Sequence, residues 1–524
     1  MFCVVRPTDI RVRVLATANP IIMTTQSSTI NSAKAFVAAL LALIFLVDPA
    51  SVLAKRKEKF QTHPIVPEKE LLIIDPAVVD SSYATYPGAF SFGHLMNELV
   101  GDEDVSEYVR RWLESWESDQ SINGHEVAAR KKIAELIIEP WMEKDGFAGK
   151  SRYDWEVNLA NAPFRLLAVV NRIDMSGIVN LGGGSVSFGD SGTAGYYEGT
   201  APNGEFRLVF GATDAAGEPL EGGFTAIFEY ALPPVEFKKR LRSGRIPDKW
   251  GAGPFPEPSE RQKSMNARLA VAKYASRWHA LGAYEKFDES YLAALAELAA
   301  GSTDRAKQKD GGAPLLSQLR TNEGALGEVQ EAREFDYVAG RLVPHPVAAT
   351  PDVSFIQDPT IVRAFTKYIN DNGDAIRKVQ HSIPKKVRDP RDPKKEIPFL
   401  AGSALMPTVA EGGKGSFFWN AERIRSREAL RVFSLNTCSG CHCGETETAF
   451  YHIKPRRQGE QSELSRFLRM DSSEFVVDPP NGGGRSVKFN EMANRAVVFE
   501  ALLNPHMSET QIARLLRHRT RAVH

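Results

Sequence analysis

The period of the apolar positions changes several times along the chain. From Ser91 to Gly146 they recur at helical spacing: Leu95 and Leu99, then Val105, Tyr108 and Trp112, then Ile133, Leu136 and Ile137 within Ala128 to Trp141. Beyond Ala162-Pro163 the pattern turns to strands. Phe164 to Val170 is a compact apolar run suited to a strand buried on both faces. Glu205 to Gly211 sets Phe206, Leu208 and Phe210 against Arg207 and Val209, and Phe224 to Tyr230 alternates again. Turn residues Asp214 to Gly217 lie between these two, which predicts a long antiparallel hairpin. Helical spacing returns from Ser259 to Gly301, first through Leu269, Tyr274, Trp278 and Leu281, then through Leu292, Leu295 and Leu298. Glu334 to Val343 and Val353 to Ile356 read as short strands, and Thr360 to Gln380 as helix.

Punctuation divides the chain. The glycine-rich stretch 181–195 has no helix opening directly after its glycines, as a phosphate-binding loop requires, and reads as a surface loop. Pro384 to Glu396 is charged and broken by prolines, and Gly412 to Gly415 follows, so a linker is expected at 384–416. Beyond it, Ser426 can cap a helix that carries Ala429, Leu430 and Phe433 on one face. Asn490 can cap another with Met492, Ala496, Phe499 and Leu503, stopped by Asn504-Pro505. Ser508 to Gln511 reads as a capping box opening a last helix.

Charge narrows the partners. Lys+Arg and Asp+Glu both number 65, so the balance points to neither nucleic acid nor a membrane surface. From Met23, a natural start, a polar segment with Lys34 leads into the apolar run Ala35 to Val47, with Val52 and Ala54 at −3 and −1 before Lys55. This predicts an export signal at 1–54, cleaved before a polar, extended segment at 55–90. The apolar run is shorter than the roughly 20 residues of a membrane helix, and no other stretch approaches that length, so no membrane span is expected in the mature chain. An uncleaved anchor or a buried helix is the competing reading of that run.

The chemistry lies in Cys438-Ser439-Gly440-Cys441-His442, the C-x-x-C-H sequence that attaches a c-type haem. Two thiols three positions apart can add to the vinyl groups on one edge of a porphyrin, and the following imidazole can bind the iron from the proximal side. The chain has four cysteines; Cys3 falls in the expected signal and Cys443 sits directly behind the motif. The same residues could instead form a redox pair or disulfide, or a zinc site with Cys443 and a distant histidine. For the distal side of the iron, His452 and Met470 are equal candidates, while Met492 reads as core and Met507 lies in a short connection. His94 and His279 read as structural. Residues 90–400 show no nucleotide loop, no metal-spaced histidine pair and no triad, so no catalytic residue is assigned. The expected fold is α+β and multidomain: a mixed helical and antiparallel β body at 91–383, then a small, mostly α, cytochrome c-like domain at 417–524.

Several phrases occur together: Ser91-Phe92-Gly93-His94-Leu95-Met96, Ala162 to Asp174, Arg277-Trp278-His279-Ala280-Leu281-Gly282 and Phe433 to Cys438. In these the chain resembles a family of exported, functionally uncharacterised proteins of Gram-negative bacteria with one C-terminal C-x-x-C-H motif. The resemblance implies an exported protein with this architecture and one covalent haem c, without implying an activity; a periplasmic location and a redox partner protein there are what the export signal and the electron-transfer reading lead one to expect. Gly444-Glu445-Thr446 and the histidine at His452 fit the family pattern, whereas Cys443 departs from it. Electron transfer is the leading expectation. A haem oxidoreductase, and a non-haem binding protein with a disulfide or zinc clip at Cys438 to Cys443, are the alternatives.

Overall fold

The computed structural model describes residues 63–175, 204–233, 260–378, 381, 383–392, 394–406, 417–471, 474–478 and 486–504. The expected signal with Cys3, the glycine-rich loop, Met507 and the capping box at Ser508 lie outside them. In chain order the principal elements begin with β1 (Leu72–Ile73), α1 (Phe92–Val100), α2 (Val105–Glu114), the hairpin β2 (Gln120–Ile122) and β3 (His125–Val127), and α3 (Glu139–Lys144). Then come β4 (Phe164–Arg172), β5 (Glu205–Ala212), β6 (Thr225–Ala231), α4 (Glu260–His279), α5 (Glu289–Thr303), β7 (Leu316–Asn322), β8 (Gln330–Val338) and β9 (Arg341–His345). The remainder is α6 (Val362–Asp371), α7 (Gly373–Arg377), β10 (Lys386–Arg388), β11 (Glu396–Pro398), β12 (Ala404–Met406), α8 (Arg427–Leu435), the single turn α9 (Cys438–Cys441), β13 (Phe475–Val477), β14 (Val487–Phe489) and α10 (Glu491–Leu503).

The α+β class is borne out. One antiparallel sheet runs β1-β4-β5-β6-β7-β8-β12, with β9 paired to β8. Its two faces differ in kind. On one, Phe206, Leu208 and Phe210 of β5 and Ala226, Phe228 and Tyr230 of β6 are buried beneath helices. Phe92 of α1 stacks on Phe164 with centroids 4.2 Å apart and meets Phe210 and Phe228 edge-on. Trp112, Trp116 and Trp141 complete this aromatic core.

The other face carries charge and is buried as well. Arg207 stands opposite Glu229, and Arg320 opposite Glu334, across neighbouring strands. Arg207 Nη1 lies 3.4 Å from Glu229 Oε1, Arg320 Nη1 lies 3.8 Å from the same oxygen, and Arg320 Nε lies 3.1 Å from Glu334 Oε2. The cover over this ladder is the C-terminal stretch. Arg456 holds Asp80 in a two-pronged pair at 2.8 Å and donates to Leu166 O, Gly324 N–H donates to Tyr451 Oη, and α10 packs on α4.

This cover corrects the expected domain division. Residues 63–524 form one compact unit, and the C-terminal segment does not stand apart as its own body. The expected linker instead contains the hairpin β10–β11 and then β12, which extends the main sheet beside β8. The segment expected to be extended at 55–90 is folded from His63 onward, with Leu71 to Ile74 buried and β1 paired to β4. Val353 to Ile356 is not a strand. Asp352 accepts a hydrogen bond from Ser354 N–H and opens the helical turn Ser354–Gln357. Glu334 to Val343 divides into β8 and β9 because Ala339 and Gly340, both at positive φ, make a two-residue hairpin turn. The stretch 91–146, expected as helix, contains the β2–β3 hairpin. Among the described residues, no helix is long and apolar enough to cross a membrane.

Candidate functional site

Local chemistry builds the cysteine turn. Ser426 Oγ accepts from Ala429 N–H and starts α8, which buries Ala429, Leu430 and Phe433. The chain then breaks at Asn436, and Thr437 Oγ1 accepts from Gly440 N–H to open α9. Residues three apart on a helical turn share a side, so α9 presents Cys438 and Cys441 together. Gly440 is required by space: a Cβ there would lie 2.2 Å from Ser434 O. The turn is tied to the body, because Cys438 N–H donates to Thr350 Oγ1 at 2.9 Å and Ser439 Oγ donates to Leu405 O of β12 at 3.0 Å.

Cys438, Cys441 and Cys443 are buried free thiols. Burial raises all three above the ordinary thiol range, Cys443 to about 12, so they carry protons at neutral pH. His442 follows at the end of the turn, and its Nδ1–H donates to the carbonyl of Phe450. That bond sets the tautomer and leaves the lone pair on Nε2. Burial lowers its pKa to about 4, so the ring stays neutral. His452 is also buried and held well below the usual histidine range by that burial. Its Nδ1 meets Ser465 Oγ at 2.8 Å, and its Nε2 lies 3.4 Å from Cys441 Sγ.

His442 and His452 line one cleft. Its floor is the charged face of the sheet: Val170, Arg207, Val209, Thr225, Ile227 and Asn322. Ile453, Leu468 and Arg495 of α10 close it from above, leaving a cavity of about 40 Å³ that is partly open to solvent. Met470 is half-buried against the main core and is not one of the cleft residues.

The donor types suit a haem, and the cleft would have to widen to take one. Two thiols share one side of the turn and His442 keeps its Nε2 lone pair, while Cys438 and Cys441 are not among the cleft residues, which are apolar walls with Arg207 and Arg495. Both arginines already pair with glutamates, Arg207 with Glu205 and Glu229, Arg495 with Glu491. One distance limits the arrangement. The His442 and His452 ring centroids are 4.6 Å apart. Two metal–nitrogen bonds of about 2 Å in line, with each ring centre behind its nitrogen, require more than that. His452 would have to swing outward to bind on the opposite side of one metal.

The zinc alternative finds less support in the geometry. Among the described residues, the groups of His, Cys, Asp and Glu close enough for one ion are His63–Glu70–His279 and Glu334–Asp336–His345, and neither contains a cysteine. His94 pairs with Asp304 at 3.2 Å, and His279 bonds Glu70 in the interior. Reading by sequence missed Arg207 and Arg495 as cleft residues. Each was visible only as a lone cation inside an apolar strand or helical stripe, which is usually a solvated position. No protein-family model, no curated protein and no solved structure matches this chain.

Proposed function

We propose that this chain is a c-type haem protein that carries electrons, with one haem joined by thioethers to Cys438 and Cys441 and with His442 as proximal iron ligand. The observation that carries the reading is the hydrogen bond from His442 Nδ1 to the Phe450 carbonyl, which orients the ring that follows the two thiols. Ligating histidines are commonly held in this way by the nitrogen that does not bind metal. A haem bound there would supply one-electron iron chemistry. The protein's part is to hold the imidazole neutral, keep water from most of the ring with Val170, Val209, Ile227, Ile453 and Leu468, and set positive charge nearby through Arg207 and Arg495. His452 is the favoured distal ligand because it lines the same cleft, with Met470 second. The N-terminal pattern supports export to the periplasm, where c-type haem is attached and a redox partner protein would dock. The resemblance to exported C-x-x-C-H proteins agrees with this reading.

The experiment is production in a host with a cytochrome c maturation system. The purified protein should keep its colour through acid–acetone extraction and give a pyridine haemochrome with one haem per chain. Cys438→Ala and Cys441→Ala should each weaken attachment, while Cys443→Ala should retain it. His452→Ala should convert a low-spin spectrum to high-spin; the same change in Met470→Ala instead would move the distal assignment there. Colourless protein exported from that host would remove the haem reading.

A further inference from the structure

A second constellation lies outside the cleft of His442 and His452. His63, Glu70 and His279 come from three places: the stretch just ahead of the helical turn Pro67–Glu70, the last residue of that turn, and the last residue of α4. One ligand atom of each lies within 4.8 Å of the other two. Glu70 Oε2 is 2.8 Å from His279 Nδ1, and Glu70 Oε1 is 3.9 Å from His63 Nδ1. The imidazoles stack with centroids 3.9 Å apart.

Glu70 is wholly buried. Its other partner is Val66 N–H, at 2.8 Å, and among the described residues no lysine or arginine pairs with it. Taking a carboxylate out of water is costly, and burial raises this carboxyl to about 7 despite the Val66 N–H and the charge of His63 beside it. The neighbouring chain makes room for the three groups. A Cβ on Gly282 would fall 2.0 Å from Glu70 Oε1 and 2.5 Å from His63 Cε1, so glycine is needed there for space.

We propose that His63, Glu70 and His279 bind one divalent transition-metal ion. Two imidazole nitrogens and one carboxylate oxygen suit Zn²⁺, Co²⁺ or Fe²⁺ better than Mg²⁺ or Ca²⁺, which prefer all-oxygen sets. Metal–ligand bonds of about 2.0–2.2 Å place adjacent ligand atoms roughly 3 Å apart. Glu70 Oε2 and His279 Nδ1 already stand at that separation, while His63 Nδ1, 3.9 Å from the other carboxylate oxygen and 2.9 Å from Pro64 O, would turn to complete the set. His63 is 23% exposed, which gives an ion a route in and leaves a further coordination position toward solvent. Binding releases the proton that His279 shares with Glu70 and cancels the carboxylate's buried charge.

The test uses the full-length protein, treated with a chelator, dialysed and titrated with Zn²⁺ by calorimetry, with metal content measured by mass spectrometry. One zinc per chain should bind in addition to haem iron. His63→Ala, at a partly exposed position that leaves the fold intact, and His279→Ala should each weaken binding at least about tenfold, as loss of one of three ligands demands. Haem content, read separately as haemochrome, should not change in His63→Ala, so failure of this site and failure of the haem reading give different results. Absence of zinc uptake by the native chain would overturn the proposal. So would zinc that survives both histidine substitutions, or that disappears with Cys443→Ala and marks the cysteines as its holders.

Discussion

Glu445 shows what burial does to a single residue beside the cysteine turn. Its carboxylate accepts from Ser434 Oγ–H and from Phe418 N–H, yet burial still raises its pKa to about 7. The folded protein therefore holds this proton to higher pH than an unfolded glutamate does. The resulting stabilisation is complete below about pH 4.5 and is lost as pH rises toward 7. Its size is on the order of 3 kcal/mol, at 1.36 kcal/mol per pKa unit. Denaturant unfolding at pH 5 and pH 8 should show native stability falling over that interval, and Glu445→Gln should reduce the difference, with the remainder carried by groups such as Glu70 that are raised in the same way. An unchanged slope in the variant would assign the pH dependence to other groups. Gly440 is the complementary case, a residue chosen for what it lacks.

Among the elements, the strands β5 to β8 carry the least ordinary feature, a row of buried charges where a sheet would usually face water. Arg320 is its hinge, because it stands between Glu229 and Glu334. Removing one partner of a buried ion network leaves the others desolvated and uncompensated, which costs about 3–5 kcal/mol. Arg320→Ala should lower the free energy of unfolding by that amount in denaturant titrations, and adding Glu229→Gln and Glu334→Gln should recover much of the loss. A loss below about 1 kcal/mol, the size of an exposed pair, would mean that water reaches the ladder. The aromatic face of the same strands should respond to substitution through packing alone.

For the whole molecule, the C-terminal stretch serves as the lid of the sheet as well as the carrier of the cysteines. A fragment of residues 417–524 therefore lacks the floor of its own cleft, and should show neither cooperative thermal unfolding nor stable haem when produced alone. A fragment ending at residue 383 should expose the charged face, lose β12 and aggregate. Cooperative melting of either piece by circular dichroism would restore the two-domain division.

Much of the secondary structure was legible from local pattern. A compact apolar run marked β4, alternation marked β5 and β6, the caps Ser426 and Asn490 marked the starts of α8 and α10, and spacing alone marked Cys438, Cys441 and His442 as one unit. These signals are local, since each depends on residues within a turn or on a strand's own period of two. The long-range arrangement was not legible. Nothing in the local pattern marks Arg207, Glu229, Arg320 and Glu334 as one buried row, and only tertiary packing decides that the C-terminal stretch covers them. The same holds for the prolines and charges at 384–396, which suit a hairpin on a compact body as well as a linker. His63, Glu70 and His279 are far apart in sequence, and no period connects them. Hydrophobic spacing determines which face of an element is buried; what buries it is settled by contacts between distant segments, which a linear pattern does not encode.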